Sequence, residues 1–520
     1  MKEFLNDWGL SLAVFLPLFG AAIMLLIPRR EEQLHKLIAL LTSGAVLVIG
    51  VLLVANFNYD DGRTFQYVVD KAWIPLINSR YIVGLDGISL PLLALTVLVV
   101  PLCVIYSWNH IPEPGNPKAF LVLMLILETG MVGSFVALDL ILFFVFFEVV
   151  LLPMYFMIGV WGGEQRQYAS IKFFLYTLFG SALMIVAFLA LYFLSAEVEV
   201  APGEFAHTFD MRLLPTAAQA ISSTAALWIF GGMFIGFGIK VPMFPFHTWL
   251  PDAHTQAPTV GSVILAAVLL KLGTYGFVRI ALPILPEAAE TWAPIIGGLA
   301  VVGIIYGALC CLAQTDMKRL IAFSSVAHMG FVMLGIATLT DFGINAAIFG
   351  MVAHGLITGM LFFLAGSTKE RYHTLEIARL GGLLKQAPRM GWILGFASMA
   401  SLGLPGLAGF WGEFPAILSA YNPGGSDPNV ALFRAYMVVA AIGTVLAAGY
   451  LLWLYQRVAF GTPKEEFAHD SHIHDVTPLE WVAWIPMLVG IVALGVYPNL
   501  IFRVTDPAVT STMAAFGVGG

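Results

Sequence analysis

Apolar runs long enough to cross a bilayer recur along the whole chain, separated by short connections rich in Pro, Gly and charge. They lie near 9–27, 36–55, 85–107, 119–137, 139–160, 172–195, 223–244, 257–281, 294–313, 319–338, 344–366, 390–420, 430–456 and 480–502. A crossing helix needs about 20 predominantly apolar residues, which each run supplies within a few positions. The pattern predicts an all-α polytopic membrane protein of about 14 transmembrane helices, with the cut at Asp139 the least defined boundary.

Two runs depart from helical continuity in corresponding ways. The seventh contains Gly238-Ile239-Lys240-Val241-Pro242-Met243-Phe244-Pro245, and the twelfth contains Gly403-Leu404-Pro405-Gly406 followed by Trp411-Gly412-Glu413-Phe414-Pro415. In each, an ionisable residue stands two positions before a proline. Proline removes an intrahelical hydrogen bond and glycine loosens the backbone, so both spans are expected to be discontinuous helices whose freed carbonyls and amides line a polar interior. Breaks at matching places point to inverted repeats. The expected division is three N-terminal helices (1–118), a first repeat of spans four to eight (119–281), a second of spans nine to thirteen (282–460), and a last helix with its tail (461–520).

Composition and charge then narrow the picture. Only 11% of the 520 residues are Asp, Glu, Lys or Arg, and 59% are hydrophobic; a soluble domain carries about 25% charged residues. Even numbers of crossings put both termini on one side. About 15 of the 25 lysines and arginines, Arg29, Lys118, Arg166, Lys318 and Arg371 among them, fall in loops on the other side, which marks that side as cytoplasmic and both termini as outer. Glu3 and Asp7 precede the first run and Pro28-Arg29-Arg30 follows it, so that run is expected to span rather than to be cleaved. No basic tail suggests nucleic acid. Cys103, Cys310 and Cys311 form no Cys-x-x-Cys pair, and neither a Gly-x-Gly-x-x-Gly nor a Walker A motif is present, so iron–sulfur, metal and dinucleotide sites have no support on this chain.

An ionised side chain at the bilayer centre costs about 2.5 to 3.5 kcal/mol on insertion scales, so each one kept inside a span needs a partner or a purpose. Glu148 lies among phenylalanines just before Pro153, and either a structural hydrogen bond or a partnership with a buried lysine would explain it. Lys240 sits at the first break, where snorkelling to the interface is the simpler alternative. Lys271 is deep within its run with Tyr275 on the same face, which disfavours snorkelling. His328 and His354, each one turn from a hydroxyl residue (Ser324 and Thr358), read either as packed polar residues or together as links in a proton relay. Glu413 reads as a cap of the second broken helix or as a proton gate mirroring Lys240. The stretch His247 to His254 holds two histidines and Asp252, but Pro251 interrupts it. An interfacial turn between spans seven and eight is expected there rather than zinc.

The stretch Lys240-Val-Pro-Met-Phe-Pro-Phe-His-Thr-Trp-Leu-Pro-Asp-Ala-His254, with Leu270-Lys-Leu-Gly-Thr-Tyr-Gly276, Asp316-Met-Lys-Arg-Leu-Ile-Ala-Phe-Ser-Ser-Val-Ala-His-Met-Gly330 and Gly406-Leu-Ala-Gly-Phe-Trp-Gly-Glu413, closely resembles the antiporter-like membrane subunits of respiratory complex I. The likeness covers spans three to thirteen. It implies a fourteen-helix fold with two inverted five-helix repeats, one proton channel, and a place in a bacterial plasma (inner) membrane. Of three paralogous types, the L and N types carry lysine at the Glu413 position, and this chain resembles the third, which carries glutamate. By matching motif, the resemblance implies that Glu148 and Lys240 form an input pair, that Lys271 connects, that His328 and His354 line the axis, and that Glu413 is the exit gate. It also implies that FMN, iron–sulfur clusters and quinone lie on partner subunits, with L and N types as flanking neighbours in the lipid bilayer. The loop 196–222 and the tail after 503 match no usable pattern. The expected activity is therefore proton translocation coupled to NADH oxidation and quinone reduction elsewhere in the complex. The alternatives are an Mrp-type cation/proton antiporter subunit and a passive membrane scaffold.

Overall fold

The computed structural model describes residues 2–516 except 427, 469 and 471, and about 75% of the chain is helical. From the N-terminus, α1 (Lys2–Leu26), α2 (Glu32–Asn56), a hairpin of β1 (Gln66–Ile74) and β2 (Ser79–Leu85), α3 (Ser89–Tyr106), α4 (Pro117–Val136), α5 (Leu140–Trp161) and α6 (Arg166–Leu194) lead to a small second hairpin, β3 (Val198–Ala201) and β4 (Glu204–Ala206). Then follow α7 (Ser223–Lys240), the short α8 (Trp249–Gln256), α9 (Thr259–Ile284), α10 (Pro286–Leu312), α11 (Met317–Ala337) and α12 (Asp341–Tyr372). The chain closes with α13 (Pro388–Ser401), α14 (Ala408–Ser419), α15 (Val430–Ala459), α16 (Pro478–Val496) and α17 (Asn499–Met513).

Thirteen of these helices are long and apolar enough to cross a membrane. The run expected at 390–420 arrives as two shorter helices, α13 and α14, with a six-residue break between them. Gly403 (φ +80°) and Gly406 (φ +92°) flank Pro405 in that break, and both occupy the left-handed region where a Cβ is costly. The first expected break is present too: α7 stops at Lys240, and the chain turns before entering α8.

The helices sort into two layers. The core windows of α9, α11 and α12 are buried on every side, whereas only 33% of the corresponding windows of α2 and α15 are buried. A helix that is apolar all round and wholly enclosed belongs to the interior of a bundle, and one with an exposed apolar face belongs to its rim, facing lipid. Leu175, Phe179, Val186 and Phe193 give α6 such a face.

The first and last helices meet the β1–β2 hairpin and the segments that flank it on one face of the bundle. Ser11 Oγ lies 2.9 Å from the Tyr81 hydroxyl, Arg503 reaches Asp60 at 3.4 Å, and Gly87 packs directly on the Val504 carbonyl. The tail after 503 thus continues α17, whose Ile501, Val504 and Ala508 turn inward while Asp506 and Thr505 hydrogen-bond Asn345 of α12 at 3.0 and 2.6 Å. At the uncertain boundary between spans four and five, Asp139 caps α5. It accepts from the Ile141 and Leu142 amides at 2.9 and 3.0 Å, and from Ser79 Oγ and the Arg80 amide at 3.0 Å each.

The second break is anchored where α12 and α14 cross. A Cβ at Gly412 would stand 2.5 Å from the Gly350 Cα, so the two backbones touch with no side chain between them. Gly412→Ala is therefore expected to force α14 away from α12 and lower stability by about 1 to 3 kcal/mol. Gly44→Ala, at a glycine with nothing within 4 Å, should be neutral or slightly stabilising. Thermal unfolding of the two purified variants in detergent checks the pair; equal midpoints would refute the close crossing.

Candidate functional site

The breaks and the buried helices bring four of the six candidate residues into one chain of contacts. Lys271 is fully buried in α9. Two π turns, Leu265–Leu269 and Phe277–Ala281, lie on either side of it. A π turn widens the helix and diverts backbone groups from their usual partners. The Ala266 carbonyl, in the first of these turns, accepts a hydrogen bond from the Lys271 ammonium. The same Nζ lies 2.7 Å from Nδ1 of His354 on α12. Lys271 therefore does not snorkel: its head is engaged inside the bundle.

His354 Nε2 has no hydrogen-bond partner among the described residues. The ring borders a cavity of about 20 Å³ that is also lined by His328, Thr358, Ser401 and Glu413. That volume admits one water molecule, and polar groups to hold it are present on several sides. The two imidazole centroids are 6.1 Å apart.

Across the cavity, His328 of α11 uses both ring nitrogens. Nδ1 contacts the Glu413 carboxyl in the first turns of α14, and Nε2 faces Ser401 Oγ at 3.1 Å and the Tyr450 hydroxyl at 3.2 Å. Tyr450 in turn donates to Ser324 Oγ at 3.0 Å. With Nε2–H donating to these hydroxyls, the Glu413 contact is either imidazolium with carboxylate or imidazole with carboxylic acid. The two forms differ by the position of one proton. The helix break is what makes this possible, because it ends α13 at Ser401 and restarts α14 early enough to aim Glu413 inward.

The other two candidates stand apart from this chain. Lys240 is buried at the end of α7, with Nζ 4.8 Å from the centroid of the Phe147 ring. Glu148, the next residue, is half-buried on α5, and no ion pair joins it to Lys240 among the described residues. Nor does a hydrogen bond connect Lys240 to Lys271. Beside Lys240, Phe143, Phe147 and Phe237 form a cluster with centroids 5.5 to 6.4 Å apart, and Phe143 also meets Tyr275 of α9 at 6.4 Å. The helices themselves are close: a Cβ at Gly273 would lie 3.1 Å from the Lys240 Cβ.

The stretch 247–254 corrects one expectation. It is no interfacial turn, because residues from 249 onward form the buried helix α8. Pro251 sits in the first turn of that helix, where a missing N–H leaves no bond unmade. Its polar residues do not converge: Asp252 pairs with Lys172 at 2.7 Å, His247 stacks on Phe244 and meets Tyr306 edge-on, and His254 lies flat on Phe362 with centroids 4.5 Å apart.

Several buried polar groups are not among the candidates read from the sequence. Glu128 is completely enclosed in α4, with neither carboxyl oxygen hydrogen-bonded among the described residues. The intramembrane-charge rule that flagged Glu148 applies to it equally. Arg279 pairs with Asp86 at 2.5 Å, and Arg371 makes a bidentate pair with Glu480 at 2.9 and 2.8 Å. The sequence shows the charges of those pairs but nothing of who faces whom.

Comparison with known proteins matches this arrangement to a family. The family model described as NADH:quinone oxidoreductase/Mrp antiporter, TM, matches residues 137–440, and one described as NADH-ubiquinone oxidoreductase chain 4, amino terminus, matches residues 12–134. NADH-quinone oxidoreductase subunit M of Rhodobacter capsulatus is 42% identical over 96% of this chain and 95% of its own length. The subunit M of Rickettsia prowazekii is 38% identical over 98% and 99%. Among solved structures, a chain of respiratory complex I from Thermus thermophilus with bound NADH superposes with a TM-score of 0.85 at 30% identity, covering 98% of this chain and all of that one. By sequence and by fold, the chain belongs to the NADH:quinone oxidoreductase/Mrp antiporter family of membrane subunits.

Proposed function

We propose that this chain is a proton-translocating membrane-arm subunit of an NADH:quinone oxidoreductase, of the subunit M type. The observation that carries the reading is the buried sequence of contacts from Lys271 through His354 and the water-sized cavity to His328 and Glu413. A scaffold has no use for such a row, since each ionisable group costs free energy to bury. A proton on the Lys271 ammonium passes to His354 Nδ1 across 2.7 Å. Loss of the Nε2 proton delivers it to a water in the cavity, and the Glu413 carboxyl takes it up on the far side while His328 holds that carboxyl in place. Glu148 and Lys240 act as the input pair, which closes or opens as charge changes at that end of the axis. The aromatic cluster beside Lys240 insulates it from Lys271 until that change occurs.

Oxidation of NADH and reduction of quinone belong to partner subunits carrying FMN and iron–sulfur clusters, and L-type and N-type subunits flank this one. The similarity to NADH-quinone oxidoreductase subunit M relatives supports a place in such a multi-subunit complex. The shared face of the two chain ends supports a fourteenth crossing by the broken pair α13–α14. With the excess of Lys and Arg on the opposite face, it favours outer termini in a bacterial plasma membrane. The matching breaks after Lys240 and Ser401 support the division into 119–281 and 282–460 as inverted repeats.

In the assembled complex reconstituted in vesicles, Lys240→Ala and Lys271→Met are each expected to lower proton flux per NADH oxidised, the second by about tenfold or more in this subunit's share. Unchanged stoichiometry with intact assembly would remove the assigned role. A second measurement reads the site itself. His328→Gln is expected to shift the infrared carboxyl band that disappears in Glu413→Gln, and a band indifferent to residue 328 would mean the two do not share a proton.

A further inference from the structure

A cleft on the face opposite the chain ends belongs to none of this machinery. The last turn of α1, the first turn of α4 and the last turn of α5 enclose a space of about 500 Å³. At its rim stand Arg29, Asn116, Lys118 and Trp161; below them its wall is apolar, with Leu25, Val122, Phe156 and Val160. Val122 lies four residues beyond Lys118 on α4, which is about 6 Å deeper along the helix axis. The cleft opens sideways onto the apolar outer surface of the bundle, where Leu25 is 61% and Phe156 45% exposed.

The charge at the rim is one-sided. The Lys118 ammonium donates to the Leu25 and Ile27 carbonyls at 2.8 and 2.7 Å, which fixes its position and leaves one N–H free. Arg29 has no carboxylate partner among the described residues, and the nearby Glu31 pairs with Arg30 at 3.4 Å. No Asp or Glu is among the residues lining the cleft. The Trp161 indole is tied to the Gly115 carbonyl at 2.6 Å, at the level where tryptophan rings anchor helices in the headgroup region.

A fixed ammonium and an unpaired guanidinium above an apolar slot open to lipid match an anionic headgroup above its acyl chains. We propose that this cleft binds an anionic phospholipid of the leaflet on that face, with Arg29 and Lys118 on the phosphate and the α1–α5 slot holding the upper acyl chain. Each basic side chain near an anionic surface contributes about fivefold in affinity, so the pair should favour phosphatidylglycerol over phosphatidylcholine by about 25-fold.

The test uses the assembled complex in nanodiscs containing equal amounts of photoactivatable phosphatidylglycerol and phosphatidylcholine, with labelled peptides mapped by mass spectrometry. Phosphatidylglycerol is expected to label the Leu25 and Val122 peptides in large excess. Arg29→Glu should erase that preference, and Val122→Trp, which fills the slot without touching charge, should remove labelling by both lipids. Equal labelling by the two lipids in the unmodified complex would overturn the proposal. So would competition by free inorganic phosphate, or capture of a neighbouring subunit instead of lipid by p-benzoylphenylalanine introduced in place of Phe156.

Discussion

In a bilayer no backbone amide or carbonyl can be left bare, and the architecture of this chain follows from where that rule is relaxed. The rim helices α2, α6 and α15, which carry exposed apolar faces, run as continuous α-helices. Irregular backbone occurs between α7 and α8, between α13 and α14, and in the π turns of α9; the π turns are wholly buried, and the two breaks turn Lys240 and Glu413 inward while leaving Pro245 and Leu404–Gly406 at the surface. Enclosure removes lipid from the freed carbonyls and lets side chains satisfy them, as Lys271 does for Ala266. Breaks and buried charge thus come together because each supplies what the other lacks.

The same logic separates two kinds of buried charge. Arg371 with Glu480 and Arg279 with Asp86 are cation–carboxylate pairs closed by direct contact, and they tie the ends of helices together. Removing one member of such a pair strands the other, so they resist change. Lys271, His354, His328 and Glu413 are arranged otherwise. Each has a partner that can exchange a proton with it, and a water-sized space rather than a counterion lies at the centre. A fixed pair stores a geometry, whereas this row stores a choice of where the proton sits.

Much of the fold was legible because membrane helices announce themselves by length and apolarity, and the two breaks because Gly and Pro sit beside Lys240 and Glu413 where an apolar run should continue. Lys271 was legible because its depth left it no route to the interface. The geometry of His328 was not, since Ser401 and Tyr450 approach it from helices distant in sequence. Helix α8 was misread because Pro251 looked like an interruption, and only the position of the helix start shows it to be harmless. The gap between Glu148 and Lys240 depends on how the Phe147 ring is packed, and a string of aromatic residues does not disclose that.

The two π turns of α9 also set which way its middle faces. Each adds one residue beyond what an α-helix of equal length would hold, and one residue corresponds to about 100° of rotation about the axis. Leu270–Gly276, bounded by both turns, is therefore out of phase with the helix at either end. The ends keep the faces they present to their neighbours, while the segment bearing Lys271 has a facing of its own. That offset is what lets the segment turn its one charged side chain toward His354 while the ends of α9 stay in their own packing.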